Sequence, residues 1–158
     1  LIYLLLGRDK QFRNITDLGG GIKTKEREAE GGVLVGGMRE FEEESNGIFG
    51  DVYIADLLYE QVAIIDKKSR MAAVFFPVDP SWIQKSVTLF EEKTKNKRPK
   101  DRDEIDELVW YSQEDFTDLI VAKKTLWSPI KKFYAKSFTS DLVASLTFIY
   151  DKCVTTCA

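Results

Sequence analysis

The spacing of apolar and polar positions changes several times along this chain. Residues 1–9, LIYLLLGRD, are a short apolar run closed by Gly-Arg-Asp, which predicts a buried strand ending in a turn. NITDLGGGIK, 14–23, predicts a second short strand broken at Gly19, Gly20 and Gly21, where the backbone turns sharply or is approached closely. From Glu30 to Ser45 the spacing becomes helical, with Leu34, Met38, Phe41 and Ser45 on one side, and Asn46-Gly47 is a natural stop.

The runs DVYIADLLYEQVAIID (51–66) and RMAAVFFPVD (70–79), divided by DKKS, predict a hairpin. Pro80 opens a helix over SWIQKSVTLFEEKTK (81–95), and a basic loop over 93–104 leads into the strand IDELVWYS (105–112). SQEDF then turns into a short helix, and SPIKKFYAKSFTSDLVASLTFIY (128–150) predicts a C-terminal helix with Pro129 in its first turn. Without regular βαβ alternation, the pattern predicts one α+β domain over 1–158, a mixed β-sheet with helices on its faces.

The 158 residues suffice for one domain with a core, and 44% hydrophobic with 31% charged residues describes a soluble globular chain. No apolar run approaches a membrane span and no signal segment opens the chain, so the expectation is a soluble, cytoplasmic protein without a membrane partner. Because the sequence starts at Leu1 without Met, an N-terminal piece is expected to be missing. The chain has no histidine, and its two cysteines, Cys153 and Cys157, are expected to be free thiols. That removes Ser-His and Cys-His nucleophilic machinery and leaves carboxylates, Lys, Tyr or a metal to carry chemistry.

The carboxylates are concentrated in GGMREFEEESNG, 36–47. At about 100° per residue, Glu40, Glu43 and Glu44 converge beside the apolar side while Glu42 points elsewhere. Like charges at these spacings destabilise a helix by a few tenths of a kcal/mol per pair, and they lie toward its C-terminal end, where the dipole disfavours anions. Arg39 offsets part of this, but one cation does not neutralise three carboxylates, whereas Mg²⁺ or Mn²⁺ does. Gly32 and Gly36, each costing about 0.8–1 kcal/mol against Ala inside a helix, point to close approach on that side.

These residues resemble the box of the Nudix hydrolases, G-x5-E-x7-R-E-U-x-E-E-x-G-U, with U a bulky apolar residue. REFEEES (39–45) matches its core, and Gly20 with Glu26 matches G-x5-E. YLLLGRD, DLGGGIK and DEIDELVWYSQEDF resemble the flanking strands, so the similarity runs through most of the chain. Two departures stand out. Twelve residues separate Glu26 from Arg39 instead of seven, leaving Glu26, Glu28 or Glu30 as the first box glutamate, and Asn46 holds the glycine position.

The resemblance implies a Nudix-like α/β/α sandwich with a loop-helix-loop motif, and Mg²⁺- or Mn²⁺-dependent hydrolysis of a diphosphate bond. The substrate would be a nucleoside diphosphate linked to another group or a related polyphosphate: ADP-ribose, a dinucleoside polyphosphate, a diphosphoinositol phosphate or capped RNA. Glu40, Glu43 and Glu44 would hold metal and carry the chemistry, Arg39 would orient them, and Glu104 or Glu107 would add a carboxylate from outside the helix. Gly20, Gly21, Arg8 and Lys23 are candidate substrate contacts. Lys97 and Arg98, in the basic segment KTKNKRPKDR, would recruit a polyphosphate. The alternative is a binding or regulatory module for nucleotides or RNA whose lengthened loop has lost turnover. No protein partner is implied.

Overall fold

The computed structural model describes residues 2–30, 32–50, 62–75, 78–121 and 128–137. Three sequence features lie outside these residues: positions 51–61 of the first hairpin run, both cysteines, and the C-terminal part of the last predicted helix. Within them the chain is α+β. β1 (Tyr3–Asp9) sits between β2 (Ile15–Thr16) and β5 (Ile105–Ser112) in a three-stranded sheet, and β3 (Val62–Asp66) pairs with β4 (Met71–Phe75) in a separate hairpin. Every pairing among the described residues is antiparallel, which corrects the expectation of a mixed sheet there. The reason is local, since two of the three pairings close through short turns in which Arg13 and Arg70 adopt φ of 61° and 55°.

The three-stranded sheet is covered on both faces because its apolar residues alternate. Leu4, Leu6, Val109 and Tyr111 face one core cluster, built with the hairpin, α4 (Gln113–Val121) and α5 (Ser128–Ser137). Leu5, Leu108 and Trp110 face the other, against Ile48, Phe49 and α3 (Trp82–Thr94). Register shifts between Arg8 and Asp9, so that Asp9 pairs with Ile105 and Ile105 joins the same face as Leu108. Trp110 is held there by a 2.9 Å hydrogen bond from Nε1 to the fully buried Ser86 hydroxyl.

Gly7 in β1 has a packing role. A Cβ there would lie 2.9 Å from both Leu18 Cδ2 and Ile105 Cδ1, so glycine lets Leu18 close over the sheet. That contact sets where residues 17–21 leave the sheet. They lead into α1 (Thr24–Glu28), a turn of helix inside the segment expected to be loop, and then into α2 (Gly32–Glu44). No helix among the described residues is long and apolar enough to cross a membrane.

Candidate functional site

Aromatic packing fixes α2 against the sheet. Phe41 stacks on Phe49 at 5.2 Å between ring centroids, and Phe49 on Trp82 at 4.9 Å, joining α2 to α3 as one apolar layer. Met38 and Ser45 are buried on the same side, as the helical spacing predicts. The helix ends in a Schellman cap: the Gly47 N–H donates to Glu42 O at 2.8 Å and the Asn46 N–H to Glu43 O at 3.1 Å, with Asn46 at φ 57°. Asn46 thereby serves in the left-handed position that glycine usually fills.

The glycines of α2 make room for the segment before it. A Cβ on Gly32 would lie 1.9 Å from the Glu26 carbonyl oxygen, and one on Gly36 2.4 Å from Ile22 Cδ1 and 2.9 Å from Glu26 Oε2. The close approach inferred from these glycines is therefore made by the chain itself, which lays α1 on α2.

This contact brings Glu26 to Arg39. Arg39 Nε donates to Glu26 Oε1 at 2.5 Å, Nη2 to the Gly21 carbonyl at 2.9 Å, and Nη1 lies 2.7 Å from Glu40 Oε1 and 2.9 Å from Glu43 Oε2. All four side chains are between 13% and 20% exposed, so the guanidinium works as a shielded hub. Of Glu26, Glu28 and Glu30, Glu26 is the one held by Arg39. The Arg39 hydrogen bond, with a second from the Lys23 N–H, holds the Glu26 carboxyl below the usual carboxylate range. The bond to Glu26, with the Glu40 and Glu43 carboxylates adding to it against the opposing effect of burial, raises the Arg39 guanidinium further above its ordinary value.

Glu44 lies apart from the hub and is 5% exposed. It accepts a 2.6 Å hydrogen bond from the Gly19 N–H. Burial pushes its carboxyl up to about 9; the Gly19 amide opposes this, and Asp17, Glu104 and Glu40 add repulsion. Burial also raises Asp17 to about 6, against hydrogen bonds from Thr16 and its own backbone. Asp17 is half-buried, and nothing local marks it, since a Thr-Asp-Leu aspartate reads as an ordinary exposed acid.

The remaining sequence-selected residues divide by what they touch. Gly20 packs on Glu40: a Cβ there would lie 2.4 Å from Glu40 Oε2. Gly21 is exposed and contributes its carbonyl to Arg39, and the exposed Lys23 contributes its backbone N–H to Glu26. Arg8 and Glu107 pair with each other at 2.7 Å across β1 and β5. Glu104 is exposed and lies within the field of Glu44. Lys97 is exposed, whereas the Arg98 side chain is only 7% exposed and bonds to Asp103 and to the carbonyls of Arg102 and Ile105. Arg98 thus holds its own loop together, while Lys97 is turned to solvent.

The donor set around α2 is all carboxylate oxygen, and it carries more negative charge than Arg39 offsets, which is the chemistry a hard divalent cation fits. As they stand, with Glu40 and Glu43 turned to Arg39, no three acidic groups among the described residues are spaced to hold a metal ion. No family model, curated protein or solved structure matches the chain.

Proposed function

We propose that this chain is a Nudix-type hydrolase that cleaves a diphosphate bond with Mg²⁺ or Mn²⁺, acting on a nucleoside diphosphate derivative or a related polyphosphate. The observation that supports it best is the joining of both halves of the box pattern. Glu26, from G-x5-E, meets Arg39 of REFEEES, and that same guanidinium gathers Glu40 and Glu43. The extra residues before the helix are taken up by α1 and the glycine contacts beneath it, so the lengthened segment still delivers Glu26.

Glu40, Glu43 and Glu44 are the residues that would hold the cation, with Glu104 nearby. When bound, it would screen the diphosphate oxygens and make a water more acidic. Arg39 and Glu26 orient the cluster, and Gly20 leaves space for the Glu40 carboxylate. Glu44, buried and protonated near neutrality without a cation, is the group with most to gain from one. The α+β architecture, with helices over both faces of the antiparallel sheet, accommodates the α/β/α sandwich of this proposal.

The test is a panel of diphosphate substrates, ADP-ribose, a dinucleoside polyphosphate, a diphosphoinositol phosphate and capped RNA, assayed for product with Mg²⁺ or Mn²⁺. Turnover that Glu43→Gln and Glu44→Gln each abolish is the expected result. Binding of a nucleotide or RNA without turnover would instead establish the binding module.

A further inference from the structure

The cations of residues 93–102 differ in what they touch. Lys95, Lys97 and Lys100 are exposed. Lys93 Nζ donates to the Asn46 carbonyl at 3.0 Å, and Arg102 Nη2 donates to both carboxylate oxygens of Glu42 at 2.8 Å. We infer that this basic segment is a brace holding the last turn of α2, and that Arg102 and Glu42 are positioning residues for the carboxylates beside them; the inference rests on the hydrolase reading.

The brace is built outward from the core. The Arg98 guanidinium lies 5.7 Å over the ring of the buried Phe90. Its Nη1 donates to the carbonyls of Arg102 at 2.9 Å and Ile105 at 2.7 Å, and Nη2 meets Asp103 at 2.8 Å. Those bonds shape the 3-10 turn Lys100–Arg102 and fix the backbone from which Arg102 reaches Glu42.

Glu42 is held at both ends. Its carbonyl accepts the Gly47 N–H of the cap while both oxygens of its carboxylate accept from Arg102 Nη2. Gly47 sits in the crease: a Cβ there would lie 3.1 Å from Glu42 Oε1, 3.6 Å from Arg102 Nη1 and 3.9 Å from Lys93 Nζ.

Because successive helical residues are about 100° apart, fixing Glu42 fixes the direction of the next two side chains. Glu43 stays on Arg39 and Glu44 on the Gly19 amide. The cations at this helix end also offset the dipole that disfavours Glu43 and Glu44 there.

The experiment compares Arg102→Gln, Arg102→Lys, Glu42→Gln, the double Glu42→Gln/Arg102→Gln and the swap Glu42→Arg/Arg102→Glu. Each is assayed with Mg²⁺ on the substrate the wild type turns over, at a temperature where melts show all to be folded. A positioning role predicts that each neutral single variant lowers kcat by up to about a hundredfold, the scale of a small misplacement at a reaction centre, with KM unchanged. The double variant is then no worse than either single, and Arg102→Lys and the swap recover part of the rate. Unchanged kcat, or a KM that rises with salt-sensitive binding, overturns the brace in favour of no role or of substrate recruitment. A wild type that hydrolyses no diphosphate with Mg²⁺ or Mn²⁺ overturns the hydrolase reading itself, and the brace with it.

Discussion

Nε of Arg39 lies 2.5 Å from Oε1 of Glu26, thirteen positions earlier, and this bond ties α1 to the middle of α2. The planar fork of arginine serves Glu26, Glu40 and Glu43 together, and the compact lysine ammonium does not reproduce that. Arg39→Ala is expected to cost about 2 kcal/mol, the scale of hydrogen bonds to charged groups, and Arg39→Lys to recover only a minor part. Urea unfolding of both variants checks this; a lysine variant as stable as wild type would remove the fork from the account.

Gly20 and Gly32 separate site geometry from folding. The atoms a Cβ would strike at Gly20 belong to the flexible end of Glu40, whereas at Gly32 they belong to the Glu26 and Arg27 backbone. Gly20→Ala is therefore expected to leave Tm nearly unchanged while lowering turnover through displacement of Glu40. Gly32→Ala is expected to lower Tm clearly, although alanine is the better helix former, because α1 has to move. Thermal melts alongside the hydrolysis assay distinguish the two.

The contrast shows which parts of this molecule were legible in its sequence. Helical geometry alone separated Glu42 from Glu40, Glu43 and Glu44, and Glu42 indeed faces a different partner, Arg102. The strand over 105–112 was equally plain, because its pattern is local and alternating. What was hidden depends on long-range contact. Arg98 looks like one more solvated charge until Phe90, Asp103 and two backbone carbonyls enclose it, and Asp17 looks exposed until the fold half-buries it within the field of Glu44. The helix α1 was hidden for another reason: at five residues it is too short to show a spacing, and its Glu26 is positioned by Arg39 and by the Lys23 N–H.

Stability of the metal-free chain is expected to fall as pH rises. Glu44 titrates near 4.5 when unfolded and about 9 when folded, so between those values the native state binds the extra proton. Stability from this group is fully present below about pH 4.5 and is lost as pH climbs through about 9. Asp17 adds the same sign between 3.8 and about 6. Glu26, held low by Arg39, acts oppositely, losing its contribution only in acid below its ordinary range. Urea midpoints across pH 5–9 in the presence of a chelator measure the slope. Glu44→Gln, which keeps the neutral shape, should flatten it and leave the protein more stable than wild type at the alkaline end.

The same proton gives a signature for metal binding that does not depend on turnover. A carboxylate ligand must be deprotonated, and at pH 7.5 the buried Glu44 carboxyl, titrating about 9, is still mostly protonated. If Mn²⁺ binds at Glu40, Glu43 and Glu44, it has to expel that proton. Calorimetric titration with Mn²⁺ in buffers of different ionisation enthalpy should therefore report release of close to one proton per ion at pH 7.5, shrinking toward zero near pH 10. Glu44→Gln should abolish the release, and Glu43→Gln should weaken the affinity while leaving the proton count of the remaining binding intact. Binding of Mn²⁺ with no proton release at pH 7.5 would place the ion away from Glu44, and the carboxylate cluster would lose its assignment as the metal site.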